Sequence, residues 1–400
     1  MKVNFSPPDI SQSEIDEVID TLKSGWITTG PKTKKLESQL AEYIGVNKCV
    51  CLNSQTACQE LALRLTGIGE GDEVITTAYT YTASASVVCH VGAKLILIDT
   101  QPNSLEMDYE QLRSNITSKT KAIIPVDIAG IPCDYNRIFE IVNEKRSEFI
   151  ANGKMQKALG RIAVMADCAH SLGAQYCGKM VGSVADFSSF SFHAVKNLTT
   201  AEGGALAWNA LDGISDDEIY HQLQLFSLHG QSKDAFSKTQ VGAWEYDVIG
   251  TWYKCNMTDV AASIGLAQLK RYSRMLDRRK AIIEKYNEVF ELLGISVLPH
   301  YTNEHFSSGH LYITRVPNVT AEQRNEIIVK MAEIGVVCNV HYKPLPMHTA
   351  YKELGFNIDD YPNAYDNYKN AITLPLHTCL DDDEVEYVIE NYSRIVKEYI

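Results

Sequence analysis

The strongest constraint on the fold is a regular alternation of short apolar runs and helix-length segments from about residue 46 to about residue 210. The apolar runs read as buried strands over Lys48–Leu52, Glu73–Thr76, Lys94–Ile98, Ala122–Val126 and Ile162–Ala166. The segments between them read as helices over Thr56–Leu65, Ala83–Val91, Tyr109–Asn115 and Tyr135–Glu148. This alternation predicts an α/β domain with a mostly parallel sheet. Such sheets bind ligands beyond the carboxyl ends of their strands.

The pattern changes after about residue 255. Thr258 begins a long helical region, and further elements are predicted at Leu311–Val316 (strand), Ala321–Ile334 (helix), Val336–Val340 (strand) and from Asp382 onward (helix). We therefore predict a large domain over residues 1–255 and a smaller α+β domain over residues 256–400. The polar and basic stretch Ala151–Gly160 is predicted to be a surface insertion.

Composition argues against several classes of function. The net charge of −13 disfavours binding to nucleic acid, whose phosphates most of this surface would repel. The first residues lack a signal-peptide core, and no apolar run is long enough to span a bilayer. Ten cysteines without a secretion signal indicate reduced thiols, and the absence of paired CxxC motifs disfavours a metal site. We expect a cytoplasmic protein without nucleic acid, membrane or metal as partners.

Lys196 is the first candidate for chemistry. It lies between the strand-like run Phe187–Phe192 and a Gly-Gly strand start, with few charged neighbours. A desolvated lysine keeps more of its amine neutral and nucleophilic, which suits Schiff-base formation with a carbonyl. The alternative is that Lys196 pairs with Glu202 or extends from a surface loop.

Asp167 and His170 follow the last apolar run of the series. A carboxylate at Asp167 could hold a proton on the ring nitrogen of a cofactor, or it could cap a helix that begins at Cys168. His170 could donate a hydrogen bond near the phenolic oxygen of such a ring, or it could be a core histidine.

The helix start at Asn53–Ala57 is a candidate phosphate cradle, because free amides and the helix dipole attract anions there. Thr56 adds a hydroxyl, and Ser191 is a second candidate, although helix capping alone explains such residues. Tyr81 also follows a strand and could stack on a flat ring or belong to the core. Pyridoxal 5′-phosphate (PLP) requires a lysine, an acid, a phosphate cradle and a flat partner, so these residues together predict PLP as the cofactor.

The chain resembles the DegT/DnrJ/StrS family of PLP-dependent nucleotide-sugar aminotransferases along almost its whole length. The motifs that carry the resemblance are Gly25–Pro31, Asn53–Ala57, Gly69–Ile75, Asp167–Ala174, Ser191–Gly204, Tyr253–Asp259 and Ala261–Leu269. The resemblance implies the type I fold of PLP-dependent transferases, as in aspartate aminotransferase, with a large domain around a mostly parallel sheet and a smaller α+β C-terminal domain.

The resemblance also implies roles for particular residues. Lys196 would bind the cofactor aldehyde and move the substrate proton, with Asp167 on the pyridine nitrogen and Tyr81 against the ring. The phosphate would be held by Thr56, Ala57 and Ser191, and by Asn256 of the neighbouring subunit in a homodimer. The Trp26–Pro31 loop, with Trp26, Thr28 and Thr29, would line the sugar site. The basic residues that are candidates for binding the substrate diphosphate are His229, Lys254, Lys32, Lys34 and Lys35. Gln55 replaces the Gly or Ala more usual in the cradle, which the turn accepts if its φ is negative.

Segment Tyr253–Asp259 is most similar to members that aminate C4 of UDP-linked sugars. The resemblance therefore implies transfer of the amino group of L-glutamate to a 4-keto-6-deoxy nucleotide sugar, for polysaccharide, lipopolysaccharide or glycan biosynthesis. The alternatives are a 3-keto sugar aminotransferase, a ketosugar 3-dehydratase with His in place of the lysine, and a regulator that binds PLP without turnover.

Overall fold

The computed structural model describes residues 1–232 and 245–400. Its strands are β1 (Cys49–Leu52), β2 (Glu73–Thr77), β3 (Lys94–Ile98), β4 (Thr120–Ile124), β5 (Ala163–Asp167), β6 (Gln175–Tyr176), β7 (Lys179–Met180), β8 (Phe187–Ser191), β9 (Gly204–Trp208), β10 (Ser296–Val297), β11 (His305–Phe306), β12 (Tyr312–Arg315) and β13 (Ala371–Leu374). Its α-helices are α1 (Gln12–Ser24), α2 (Pro31–Ile44), α3 (Gln55–Leu65), α4 (Ala83–His90), α5 (Tyr109–Asn115), α6 (Tyr135–Glu144), α7 (Gly153–Leu159), α8 (Asp216–Ser227), α9 (Asp259–Phe290), α10 (Ala321–Glu333), α11 (Thr349–Glu353), α12 (Pro362–Lys369) and α13 (Asp382–Val396). No helix in these two ranges is long and apolar enough to cross a membrane.

The central sheet has seven strands in the order β1-β9-β8-β5-β4-β2-β3. Strands β3, β2, β4, β5 and β8 pair in parallel, whereas β9 is antiparallel to both β8 and β1. All residues of β2, β4 and β5 are buried, as expected for parallel strands covered by helices on both faces. The predicted α/β fold with a mostly parallel sheet is confirmed.

The topology brings several strand ends to one edge of the sheet. Strands β5 and β8 are parallel, so Asp167 and Ser191, their last residues, lie at the same edge. Strand β1 is antiparallel to β9, which is antiparallel to β8, so β1 also ends at this edge. The segment Asn53–Ala57 therefore follows β1 next to the last residues of β5 and β8.

Helix α9 links the central sheet to a second apolar core. Its first half packs on α1 and α2, while Ile282, Tyr286 and Phe290 belong to a core that also contains Tyr312 and residues of α10 and α13. A smaller sheet of order β10-β12-β13 lies in this second core. The domain boundary at residues 255 and 256 stays a prediction, because α9 begins beyond it yet packs first on N-terminal helices.

One sequence-based expectation is wrong, and the structure adds detail to another. Val336–Val340 is not a continuous strand: Val336 bridges Val3, whereas Asn339 bridges Thr373 of β13, so the pairing changes partner before a ladder can extend. The stretch 151–160, predicted to be a surface insertion, contains α7, and Gln156 is its one buried residue. The buried Gln156 side chain of that helix donates to Thr66 O at 3.0 Å.

Candidate active site

A cavity of about 420 Å³ opens where β5 and β8 end. Six residues that the sequence predicted for the cofactor site line it: Thr56, Tyr81, Asp167, His170, Ser191 and Lys196. Their elements meet there because the parallel strands end at one edge of the sheet.

Lys196 lies in the loop between β8 and β9, where its backbone N–H donates to His193 O at 2.9 Å. The residue is partly exposed because it lines the cavity, but the surrounding protein desolvates the amine and lowers its pKa to about 8. The nearby charge of Asp167 opposes this effect. In residues 1–232 and 245–400 no carboxylate lies within 4 Å of the amine, and Glu202 faces His193 Nε2 at 3.6 Å instead. The alternative pairing of Lys196 with Glu202 is therefore wrong.

The Asp167 carboxylate is held from two sides. Oδ2 accepts a hydrogen bond from Ser84 Oγ at 2.7 Å, and Oδ1 accepts one from Ala169 N–H at 3.1 Å. Burial raises the pKa of this carboxyl, and the hydrogen bonds and the Lys196 charge oppose that rise. No α-helix begins at Cys168, so Asp167 is not a helix cap. Its raised pKa suits a group that must share a proton with a ring nitrogen.

The cradle is the start of α3, which Ser54 caps. Ser54 Oγ accepts from Ala57 N–H at 3.1 Å, so this amide already has a partner and Ala57 does not line the cavity. Thr56 lines the cavity, and the amides of Gln55 and Thr56 precede the first intrahelical bond, from Cys58 N–H to Ser54 O (3.2 Å). These two amides remain for an anion.

Gln55 is accepted in the cradle because its side chain turns into the protein. Its backbone is helical, so the left-handed conformation that would favour glycine is not required. The buried carboxamide donates to Ser189 Oγ and to Gln59 Oε1, both at 2.9 Å. Gly204 of β9 allows the backbone of the cradle to lie close to β9, because a Cβ atom at Gly204 would lie 2.5 Å from both Gln55 N and Ser54 C.

His170 is a buried, neutral histidine of defined tautomer. Its Nδ1 accepts from Ala129 N–H at 3.2 Å, so Nε2 carries the proton and donates to Tyr342 Oη at 3.1 Å. Burial lowers the pKa of His170 well below its usual value. The Tyr81 side chain is 61% exposed, and its ring centroid lies 6.1 Å from that of Tyr342. Tyr81 therefore lines the cavity and is not a core tyrosine.

Sequence reasoning missed Ser84, His341 and Tyr342. Ser84 holds the acid, while His341 and Tyr342 line the cavity from the C-terminal third of the chain. The adjacent histidine and tyrosine after an apolar run were a usable signal. Ser84 lies in a helix without a distinctive motif, so the sequence carried no signal for its role.

The other predicted residues form a second group outside the cavity lining: Trp26, Thr28, Thr29, His229, Lys254 and Asn256. Asn256 Nδ2 donates to Thr29 Oγ1, and Lys254 Nζ contacts Asn256 Oδ1. Thr28 O accepts from Asp259 N–H at 3.1 Å, and His229 N–H donates to Tyr253 O at 2.7 Å. The 25–31 loop and segment 253–259 are thus bonded to each other within one chain.

The cavity residues fit PLP: a desolvated lysine, a held carboxylate, a helix start with free amides and an aromatic wall occur together. Known proteins agree with this assignment. The family model described as the DegT/DnrJ/EryC1/StrS aminotransferase family matches residues 8–393.

Three relatives cover nearly the whole chain. SpsC of Bacillus subtilis, a spore coat polysaccharide biosynthesis protein, is 36% identical, with 98% of this chain and 97% of that protein covered. The UDP-4-amino-4-deoxy-L-arabinose–oxoglutarate aminotransferase of Shewanella sediminis is 33% identical, with 97% of each covered. Spr1654 of Streptococcus pneumoniae was solved in forms with pyridoxamine phosphate (PMP) and with PLP. Its PMP form is 55% identical with a TM-score of 0.97 over 100% of both chains.

The predicted cofactor and the predicted family are both confirmed. This chain belongs to the DegT/DnrJ/EryC1/StrS aminotransferase family and is a PLP-dependent aminotransferase.

Proposed function

We propose that this enzyme transfers the amino group of L-glutamate to C4 of a 4-keto-6-deoxy nucleotide sugar. The product would be a 4-amino nucleotide sugar for surface polysaccharide or glycan biosynthesis. The observation that carries the proposal is the meeting of Lys196 and Asp167 in one cavity of a chain similar to a UDP-4-amino-4-deoxy-L-arabinose aminotransferase. The similarity to a spore coat polysaccharide biosynthesis protein supports the biosynthetic setting.

Lys196 is the proposed reactive amine. Bound PLP supplies an aldehyde that condenses with an amine and a ring that withdraws electrons from the substrate carbon. With a pKa of about 8, Lys196 keeps roughly a tenth of its amine neutral at pH 7, far more than an exposed lysine does. The same amine would take a proton from the substrate carbon and return it to a neighbouring atom.

Asp167 is proposed to pair with the protonated pyridine nitrogen. Ser84 and the Ala169 amide fix both carboxylate oxygens, so the acid needs no reorganisation when the ring binds. Its raised pKa strengthens it as a proton acceptor while the hydrogen bonds keep it oriented. The acid therefore keeps the ring in its electron-withdrawing state.

The remaining cavity residues are proposed to bind and orient the cofactor. The phosphate would rest on the amides at the start of α3, with the hydroxyls of Thr56 and Ser191. Tyr81 would lie against one face of the ring. His170, held as the Nε2–H tautomer, keeps its proton directed at Tyr342 and would act on the phenolic side of the ring through that pair.

The second group of residues is proposed to act across a subunit boundary. Asn256 and Thr29 are bonded to each other and lie outside the cavity lining of their own chain. In a homodimer, Asn256 would complete the phosphate site of the partner. Trp26, Thr28, Thr29, His229 and Lys254 would line its sugar site. This arrangement would give a role to the residues of the second group, which lie outside the cavity lining of their own chain.

Three alternatives remain as outcomes of the test. A 3-keto sugar aminotransferase would use the same cavity with a different sugar orientation. A ketosugar 3-dehydratase is disfavoured by Lys196, since that branch has histidine in this position. A regulator that binds PLP without turnover is disfavoured by the joint presence of the lysine, the acid and the cradle.

Product analysis tests the proposal. The enzyme is incubated with ¹⁵N-glutamate and a panel of UDP-, GDP- and dTDP-linked 4-keto and 3-keto sugars, and the products are read by NMR. Label at C4 of one 4-keto sugar is the expected result. Label only at C3, or in no sugar, contradicts the proposed substrate. An absorption spectrum that glutamate leaves unchanged would contradict turnover itself.

A further inference from the structure

The loop that carries Lys196 is anchored by the side chain of the next residue. Asn197 is buried, and its Nδ2 donates to Ser308 O at 2.9 Å. Its Oδ1 lies 2.9 Å from His310 Nδ1. Because the amide nitrogen faces a carbonyl, the amide oxygen is the acceptor and His310 Nδ1–H is the donor. Both ends of one amide thus hold the same distant segment.

That segment, Ser307–His310, is called the clamp here. All four of its residues are buried. Ser308 N–H donates to Gly130 O at 3.1 Å, and His310 N–H donates to Ala129 O at 2.9 Å. The guanidinium of Arg279 on α9 donates to Gly309 O at 3.2 Å. The clamp is therefore fixed to two other elements independently of the lysine loop.

The clamp also fixes His170. Ser308 Oγ donates to His170 O, and the His310 ring centroid lies 4.3 Å from that of His170. Ala129, whose carbonyl holds His310, also donates its N–H to His170 Nδ1. One buried segment thus contacts both Asn197, the neighbour of Lys196, and His170, which also lines the cavity.

We propose that Asn197 is a positioning residue that fixes the Lys196 amine in the cavity through the clamp, with His310 as its partner. The inference rests on the proposed role of Lys196 as the reactive amine. Without the amide, the loop would lose its buried anchor and water would reach the amine. A misplaced reactive group loses rate steeply even when it moves by about 1 Å.

The pKa of the Lys196 amine is a direct measure of whether Asn197 keeps that amine desolvated. Solvation of a buried lysine raises its pKa towards the value of a free side chain. In the full-length protein freed of cofactor, competitive acetylation across a pH range, followed by peptide mapping, gives the midpoint for Lys196 alone. The wild-type midpoint should lie near 8. Asn197→Ala should raise it by about one pH unit, so that labelling at pH 7 falls roughly tenfold.

Matched variants separate positioning from general damage. Asn367 is also buried and its amide makes three hydrogen bonds, but its partners Thr100, Ser104 and Arg315 do not line the cavity. Asn367→Ala should lower the unfolding temperature without moving the Lys196 midpoint. His310→Asn keeps a hydrogen-bond donor where Nδ1 stood, so its Lys196 midpoint should stay near the wild-type value. His310→Ala should raise the Lys196 midpoint, as Asn197→Ala does.

In the loaded enzyme, Asn197→Ala should lower kcat more than it raises KM for glutamate, because the amine is misplaced while the substrate site is unchanged. The proposal is overturned if Asn197→Ala keeps the wild-type midpoint. If that chain does not fold, equal midpoints for His310→Ala and His310→Asn overturn it. Because the acetylation readout needs neither cofactor nor sugar, it tests the role of Asn197 even if the proposed substrate is wrong.

Discussion

Lys196 and Asp167 share one cavity, and burial favours the neutral form of each, lowering the pKa of the amine and raising that of the acid. Their opposite charges partly compensate for this, and bound PLP adds a ring nitrogen that can share a proton with the acid. These pKa shifts fit the proton exchange that we propose for the pair.

The pKa of Lys196 predicts the pH dependence of cofactor capture. Only the neutral amine attacks an aldehyde, so the rate of PLP condensation with the cofactor-free protein should rise about tenfold per pH unit below 8 and level off above it. Stopped-flow absorbance measures this rate. A rate that keeps rising to pH 10 would mean that the amine is not desolvated.

Asp167→Asn should retain the fold and lose turnover by about 10²-fold or more, because an amide cannot hold the pyridine nitrogen protonated. The new amide oxygen can still accept from Ala169 N–H, and the new amide nitrogen can donate to Ser84 Oγ, so the side chain can keep both contacts. Circular dichroism checks the fold, and single-turnover kinetics with glutamate check the rate. Near-native rates would place the essential acid elsewhere.

Single residues could be predicted where local sequence determines their setting. Asp167 ends a strand, Lys196 and Thr56 each follow one, and the strand ends could be predicted from apolar runs. Ser84 and Asn197 could not be assigned roles, because their partners are 83 and 111 or more residues away in the chain and only the fold brings them together.

At the scale of elements, β9 and the start of α3 lie in close backbone contact at the cradle. Gly204→Ala should weaken PLP affinity roughly tenfold and destabilise the fold by about 1–3 kcal/mol, because backbone atoms of Ser54 and Gln55 stand 2.5 Å from the new methyl group. Equilibrium binding and urea denaturation measure the two effects.

Gly69→Ala is the matched control for this substitution. Its added methyl group would lie 3.4 Å from Val91 O, an ordinary contact, and its φ is not left-handed. The PLP affinity and the free energy of unfolding of Gly69→Ala should both stay near the wild-type values. If Gly204→Ala behaves like this control, the cradle tolerates movement and the tight junction is not needed for the cofactor.

The regular elements of the central sheet could be predicted from apolar runs, since strands such as β3 (KLILI) and β5 (AVMAD) are mainly apolar. The failure at Val336–Val340 has a physical cause. An apolar run predicts burial, but a ladder also needs one continuous partner strand, and Val336 and Asn339 pair with different ones. Sequence periodicity carries no information about that partner.

At the scale of the whole molecule, the proposed dimer makes the site a shared one. Asn256→Ala should weaken PLP retention without abolishing chemistry, because the lysine and the acid come from the other chain. Mixing Lys196→Ala with Asn256→Ala chains tests this. One site of each heterodimer combines an intact Lys196 with an intact Asn256 and should retain PLP better than the Asn256→Ala homodimer. Full activity in a demonstrated monomer would contradict the shared site.

The most direct test of the account is reductive trapping of the cofactor. Borohydride treatment of the PLP-loaded protein, followed by peptide mapping, should place a single pyridoxyl label on Lys196. Treatment with L-glutamate before reduction should abolish that label, because the amino group then resides on the cofactor and the lysine is released. A label on any other lysine, or a label that glutamate does not remove, would contradict the claim that Lys196 carries an amino-transfer reaction.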